Sequence, residues 1–163
     1  MFKKSVLIVM AAALVLSFAS CKKKEQPAAP AAGGQAPGIY IPPGEPQVIV
    51  PDSVKGKWSA VDLIIQDKTT GKSEVAKVNI GGDYKIPGST LKVQVVDFLP
   101  DFKMEGTVIT SSSNDLNNPA ARVNIYDGDK QIFKGWLYSK FPAIHPFQHE
   151  KYAVTLKDAI KKA

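Results

Sequence analysis

The chain has little of the chemistry that enzymes and metalloproteins use. Its 163 residues include one cysteine and only two histidines. A single cysteine excludes an intramolecular disulfide, and the sequence has no cysteine pair for redox work and no glycine-rich phosphate-binding loop. No segment places apolar residues at the spacing of an amphipathic helix. The sequence therefore favours a fold built from strands and a function without a cofactor.

The two histidines are the main candidates for a catalytic base or a metal ligand. His145 and His149 are four residues apart, but Pro146 lies between them and disfavours a helix that would place both on one face. A protein zinc site needs three or four ligands, and only Glu150 lies nearby. Ser111 to Ser113 lack the Gly-x-Ser-x-Gly context of a nucleophile elbow. We expect no metal and no catalytic residue, and we expect His149 to form local hydrogen bonds that hold the C-terminal strand.

The positive charge of the chain is concentrated at its ends. The formal net charge is +6, yet residues 54–158 carry 14 Lys and Arg against 12 Asp and Glu, a net charge of only +2. A nucleic-acid-binding protein would carry its basic residues on the folded domain itself. We therefore expect no nucleic-acid partner.

Residues 1–20 have the pattern of an export signal peptide. Lys3 and Lys4 precede the apolar run Val6 to Leu16, which is too short for the roughly 20 apolar residues that span a bilayer. A membrane-spanning anchor is the alternative. Export would place the domain in the cell envelope rather than the cytoplasm.

The only cysteine, Cys21, follows this segment directly. The stretch from Phe18 to Cys21 resembles the bacterial lipobox, in which the signal is cut before a diacylated cysteine. Phe18 stands where that motif usually has Leu, which leaves ordinary cleavage near Ala19 open. The resemblance implies that Cys21 carries the lipid anchor. Lys22, where an Asp would favour the inner membrane, implies an outer-membrane position facing the periplasm.

Residues 21–53 form the predicted lipidated N-terminus and a linker rich in Pro, Ala and Gly. Such a composition buries too little apolar area to offset the entropy of ordering, so we expect an extended spacer. The apolar residues Val48 to Val50 leave a second interpretation open, in which they pack as an edge strand.

Residues 54–158 form the predicted domain, and residues 159–163 its tail. Alternating apolar residues and turn signals predict an all-β fold, a small antiparallel sandwich or open barrel of seven to eight strands. Asp127 to Lys130 is a hairpin turn. For Lys157 to Ala163 we expect one helical turn or a frayed end. The predicted strands are Lys57–Gln66, Glu74–Ile80, Tyr84–Ile86, Leu91–Phe98, Thr107–Ser112, Ala121–Tyr126, Ile132–Tyr138 and Tyr152–Leu156.

The last third of the domain carries a family resemblance. Its motif residues are Phe133, Gly135, Trp136, Pro142, Ala143, His149 and Tyr152. In this spacing they resemble the bacterial domain of unknown function 2155, which implies an exported domain and no assigned activity. The earlier strands match loosely, and the chain lacks the cysteine that some members carry in mid-domain.

A second similarity involves the stretch from Val96 to Phe102 and the later Lys134-Gly135-Trp136. These residues are similar to the extracytoplasmic part of ResB-type cytochrome c synthesis proteins. The similarity implies an accessory role in cytochrome c assembly, which we keep as an alternative function.

The segment from Ser139 to Gln148 is apolar but irregular, since Pro142 and Pro146 bar it from a central strand. We expect Phe147 to be buried. We expect Phe141 and Ile144 to be exposed and to contact another envelope protein.

The aromatic residues of this region allow two interpretations. Trp136, Tyr138, Phe141 and Tyr152 form a binding shelf or belong to the core, and the core is expected for at least half of them. A shelf would make the domain a small-ligand binding module. The function we expect is that of a monomeric, non-catalytic lipoprotein bound to membrane lipid and to an unknown envelope protein.

Overall fold

The computed structural model describes residues 44–163, so the predicted signal peptide, Cys21 and most of the predicted linker lie outside the described residues. The described part has no helix, and hence none that is long and apolar enough to cross a membrane. It contains ten strands, β1 (Gln47–Val48), β2 (Trp58–Asp67), β3 (Ser73–Asn79), β4 (Asp83–Lys85), β5 (Leu91–Leu99), β6 (Phe102–Glu105), β7 (Val108–Ser111), β8 (Ala120–Asp127), β9 (Lys130–Tyr138) and β10 (Tyr152–Lys161).

The strands form three sheets. Two antiparallel sheets, in the orders β10-β2-β3 and β4-β5-β8-β9, share one apolar core. The third sheet has the order β1-β7-β6, with β1 parallel and β6 antiparallel to β7. The predicted all-β, largely antiparallel sandwich is confirmed. β6 is a short strand beyond the predicted set, and β1 lies where an edge strand at Val48 to Val50 was left open.

The core follows from the alternation of side chains along the strands. Leu63 on β2 and Val78 on β3 face Val93 on β5 together with Val123 and Ile125 on β8, and each of these is at most 2% exposed. Successive residues of a strand point to opposite faces, so every second residue enters the core. This local pattern is why most strands could be predicted from the sequence.

The two predicted hairpins are present. β2 pairs with β3 from Ala60–Asn79 to Gln66–Ser73, and β8 pairs with β9 across the turn at Gly128. Gly128 has a φ of 58°, the left-handed conformation that glycine adopts without steric cost.

The end of the chain differs from the expectation. Lys157 to Lys161 do not form a helical turn or fray, because β10 continues to Lys161. A bulge between Leu156 and Asp158 shifts the register, and the pairing with β2 then resumes as far as Trp58. This non-local pairing, rather than local propensity, decides the conformation of the last residues.

The start of the described part also joins a sheet. Gln47 and Val48 pair in parallel with Val108 and Ile109, and the Ile49 amide donates to the Ile109 carbonyl at 2.8 Å. Val48 therefore lies in an edge strand, as the second interpretation of Val48 to Val50 allowed, and this strand consists of Gln47 and Val48. β1 brings residues of the Pro-rich segment against the domain.

The small sheet covers part of the outer face of the four-stranded sheet. Phe102 on β6 makes edge-to-face contacts with Trp136 and Tyr138 on β9, each with ring centroids 5.1 Å apart. Ile109 on β7 is 4% exposed. This packing leaves a groove between β1, β7 and the edge strand β9.

Candidate functional site

A row of aromatic contacts links the edge strand β9 to β10. The Phe133 ring meets Phe147 edge-on with centroids 5.7 Å apart, Phe147 stacks on His149 at 5.7 Å, and His149 stacks on Tyr152 at 5.9 Å. Three of these four belong to the family motif, and Phe147 completes the row. The row fixes the segment between β9 and β10 against the sandwich.

His149 has the structural role that the sequence predicted. Its Nδ1 atom accepts the backbone N–H groups of Lys151 at 3.2 Å and Tyr152 at 3.1 Å. These bonds hold the first residues of β10, so the expectation of local hydrogen bonding is confirmed.

His145 lies apart from this row and lines the groove beside β9. Its φ is 47°, and among the described residues it is the one non-glycine residue whose backbone is in the left-handed conformation. Within residues 44–163 no group of three or more His, Cys, Asp or Glu side chains is placed to hold a metal ion.

Gly135 is required by its neighbour on the same face of β9. A Cβ atom on Gly135 would lie 2.9 Å from the tip of the Phe133 ring, so the missing side chain leaves room for that ring. Trp136 points to the opposite face and packs on Phe102. The Phe-x-Gly-Trp pattern thus supplies one aromatic ring to each side of the edge strand.

The loop between β9 and β10 presents apolar side chains to solvent. Phe141 is 52% and Ile144 49% exposed, whereas Phe147 is 4% exposed. The Ile144 amide donates to the Phe141 carbonyl at 3.0 Å, which closes a turn that also carries the exposed Pro142 and Ala143. The predicted burial of Phe147 and exposure of the other two are confirmed, and their contact with a partner stays a prediction.

The groove beside β9 has a volume of about 470 Å³. Its walls come from the small sheet and the outer face of the four-stranded sheet, including Glu45, Met104, Arg122, Trp136 and Tyr138. Burial raises the pKa of Tyr138. The groove therefore combines apolar rings with charged groups of both signs.

Two ion pairs stand at this groove. The Lys134 amine donates to both carboxylate oxygens of Glu45, at 2.8 and 2.9 Å, and this hydrogen bond and charge lower the pKa of Glu45. Arg122 pairs with Asp97 on the neighbouring strand β5. The first pair connects the segment before β1 to β9, so it ties the groove's two walls together.

The four aromatic residues considered as a binding shelf do not lie together on one surface. Tyr152 is buried at 6%, Trp136 and Tyr138 are half-buried under Phe102, and Phe141 is exposed on the loop. Trp136 and Tyr138 line the groove, which lies on the outer face of the sheet and not at an open end of the sandwich.

Sequence reasoning missed Glu45, Met104 and Arg122 as groove residues. Glu45 and Lys134 are 89 positions apart in the sequence, so no local sequence pattern predicts their contact.

Ser111 and Ser113 belong to a local hydrogen-bond network. The Asp101 amide donates to Ser111 Oγ at 2.9 Å, and Ser113 Oγ donates to the Asp101 carboxylate at 2.9 Å. Neither histidine takes part in the bonds of these serines. The network closes the connection between β7 and β8.

The profile of a family described as "Uncharacterized protein conserved in bacteria (DUF2155)" matches residues 62–159, which is more than half of the chain. No curated protein and no solved structure matches the chain. The matched range includes every motif residue from Phe133 to Tyr152.

Proposed function

Because the chain belongs to this uncharacterized bacterial family, we propose its role from its own residues. It is an envelope lipoprotein, anchored through acylated Cys21, whose non-catalytic β-sandwich binds another envelope protein through Phe141 and Ile144. The observation that carries this proposal is the exposure of both side chains, 52% and 49%, on a loop whose far end is firmly packed.

The anchor is supported by the N-terminal sequence. Cys21 follows a short apolar segment and precedes Lys22 to Lys24. Basic residues near a membrane surface gain up to about 1 kcal/mol each from anionic lipid headgroups. The Pro-rich residues after them would separate the domain from an outer-membrane anchor on the periplasmic side.

The loop has the features of a preformed contact. The turn at Phe141 and Ile144 is followed by Phe147 in the core and by His149 with its two backbone hydrogen bonds. A contact that is ordered before binding loses less conformational entropy when it binds. Contiguous exposed apolar patches often mark interaction sites, and the exposed residues Phe141, Pro142, Ala143 and Ile144 follow one another in this turn.

The test is recovery of partners from membranes by the full lipidated chain. Phe141→Asp and Ile144→Asp should each lose the partner while the thermal unfolding temperature stays close to that of the wild type. Leu116→Asp is the matched control, because Leu116 is a loop residue that is 41% exposed. Equal recovery by all three variants would contradict the proposal.

The groove favours a second candidate function, the binding of a small ligand. Its volume of about 470 Å³ and its lining by Phe133, Trp136 and Tyr138 suit a compact molecule with an apolar ring. Native mass spectrometry of the protein extracted from its membrane tests this. A bound small molecule that is absent from Trp136→Ala would support it, and extraction without any bound molecule would contradict it.

A further inference from the structure

We propose that the chain's own residues 38–41 pair with β9 and add a strand to the edge of the four-stranded sheet. These residues precede the described part of the chain and have the sequence Gly-Ile-Tyr-Ile. Of the two edges of this sheet, β4 has three residues and β9 has nine, so β9 is the longer surface for pairing. The pairing depends neither on acylation of Cys21 nor on a partner at Phe141.

The hydrogen-bond register shows which groups of β9 are open. The Ser139 amide donates to the Pro119 carbonyl at 3.0 Å, and Tyr138 lies opposite Ala120. In an antiparallel ladder this geometry makes Tyr138–Ala120 a non-hydrogen-bonded pair, and the two kinds of pair alternate.

Two residues of β9 therefore direct their backbone N–H and C=O groups away from β8. They are Lys134 and Trp136, which lie opposite Asn124 and Arg122. Among the described residues no hydrogen bond is made to these outward groups. An added strand would bond to them.

Residues 38–41 differ from the rest of the Pro-rich segment in composition. Within residues 22–43 the only β-branched or aromatic residues are Ile39, Tyr40 and Ile41, which are consecutive. Such residues favour strands. Ile41 also precedes a proline, and a residue in that position favours an extended backbone. The sequence of this stretch thus suits a short strand.

The strand β1 is a precedent within the same Pro-rich segment. Residues 47–50 lie between two prolines, and the first two of them form β1, which pairs with β7. Residues 38–41 also lie between two prolines. Because proline lacks only its own N–H, prolines that flank a run leave the residues between them able to donate to a ladder.

Glu45 holds the start of the described part beside β9. Its carboxylate accepts hydrogen bonds from the Lys134 amine at 2.8 and 2.9 Å. Residues 38–43 extend over at most about 20 Å, and Trp136 lies about 7 Å along the strand from Lys134, so the segment can reach both. A short tether gives an effective concentration in the millimolar range, which favours this segment over a strand from another molecule.

The charges near β9 suit an uncharged strand. Three lysines and four acids nearly balance there, so they favour neither an acidic nor a basic occupant, and residues 38–41 carry no charge; the charged residues are Lys130, Lys134, Lys140, Glu45, Asp127, Asp129 and Glu150. A second copy would place the lysines of two β9 strands together, and edge lysines disfavour such pairing. A strand from the chain itself would also protect this long edge from association with other chains.

Amide NMR of the full chain tests the pairing directly. We expect nuclear Overhauser contacts between backbone protons of residues 39–41 and those of Lys134 or Trp136, together with slow hydrogen exchange of both of these amides. Fast exchange of either amide, or the absence of these contacts, would overturn the proposal. Exchange that slows as the protein concentration rises would assign the edge to a second copy and would overturn it as well.

Tyr40→Asp and Ala36→Asp form a matched pair of variants. Both add one carboxylate to the Pro-rich segment, but only Tyr40→Asp places it within the proposed strand. We expect the amides of Lys134 and Trp136 to exchange about tenfold faster in Tyr40→Asp than in Ala36→Asp, a change that one or two backbone hydrogen bonds account for. Equal exchange in the two variants would contradict the pairing.

The Val123 amide is the internal reference, because it belongs to the ladder between β8 and β9 and not to the outer edge. Its exchange should be the same in both variants. Acceleration of Val123 by the same factor as the outward amides would show that Tyr40→Asp acts on the whole sheet and not on an added strand, and this result would also contradict the proposal.

Discussion

Phe147→Ala should destabilise the domain far more than Phe141→Ala, although both residues lie in the same short loop. Phe147 is 4% exposed and contacts the rings of Phe133 and His149, whereas Phe141 is 52% exposed. Replacing a buried Phe by Ala costs about 3 to 5 kcal/mol, because contacts are lost and a cavity remains. A substitution at an exposed position such as Phe141 usually changes the free energy of unfolding by less than about 0.5 kcal/mol.

Urea unfolding of the full chain, followed by circular dichroism, measures both values. A double-mutant cycle with Phe133→Ala then isolates the edge-to-face pair, for which we expect a coupling of about 0.5 to 1.5 kcal/mol. If alanine at position 147 abolishes folding, Phe147→Leu retains part of the contact and supports the same cycle. Equal destabilisation by Phe147→Ala and Phe141→Ala, or a coupling of zero, would refute the assignment of Phe147 to the aromatic row.

Three further predictions follow from the site. Gly135→Ala would place a Cβ atom 2.9 Å from the Phe133 ring, so the ring must move. The variant should lose about 1 to 3 kcal/mol of the free energy of unfolding, measured by thermal unfolding. An unchanged melting temperature would show that the ring moves without cost. The pKa of Glu45 lies below its ordinary value of 4.5 because of the contact with Lys134. The stabilisation that this contact gives the fold is therefore present above that value and is lost as the pH falls through the lowered pKa. In the variant Lys134→Ala, NMR titration should show that the pKa of Glu45 has returned toward 4.5. Intact mass spectrometry of the membrane-extracted protein should show a chain that starts at acylated Cys21, and an unmodified chain starting elsewhere would disprove the anchor.

Local patterns in the sequence were sufficient for most of the fold. The alternation in β2 and β3 and the Asp-Gly turn before β9 depend on neighbouring residues, so each could be predicted without knowing the rest of the structure. The burial of Phe147 and the exposure of Phe141 followed in the same way, from proline positions and the approach to the last strand.

Long-range pairing explains what could not be predicted. The residues after Leu156 have no strong strand pattern, and they extend because β2 offers them partners beyond a bulge. Gln47 becomes a strand residue only through β7. The groove depends on the contact of Glu45 with Lys134, 89 positions away, and on Phe102 packing over β9. Such contacts are decided by the assembled sheets.

The most direct test of the proposed partner contact is site-specific photocrosslinking in intact bacterial membranes. A photoreactive amino acid replaces Phe141 in one version of the full lipidated chain and Leu116 in another, and both side chains are exposed, at 52% and 41%. Our account predicts one discrete crosslinked protein from position 141 and none from position 116. The same set of products from both positions, or no product from position 141, would contradict it.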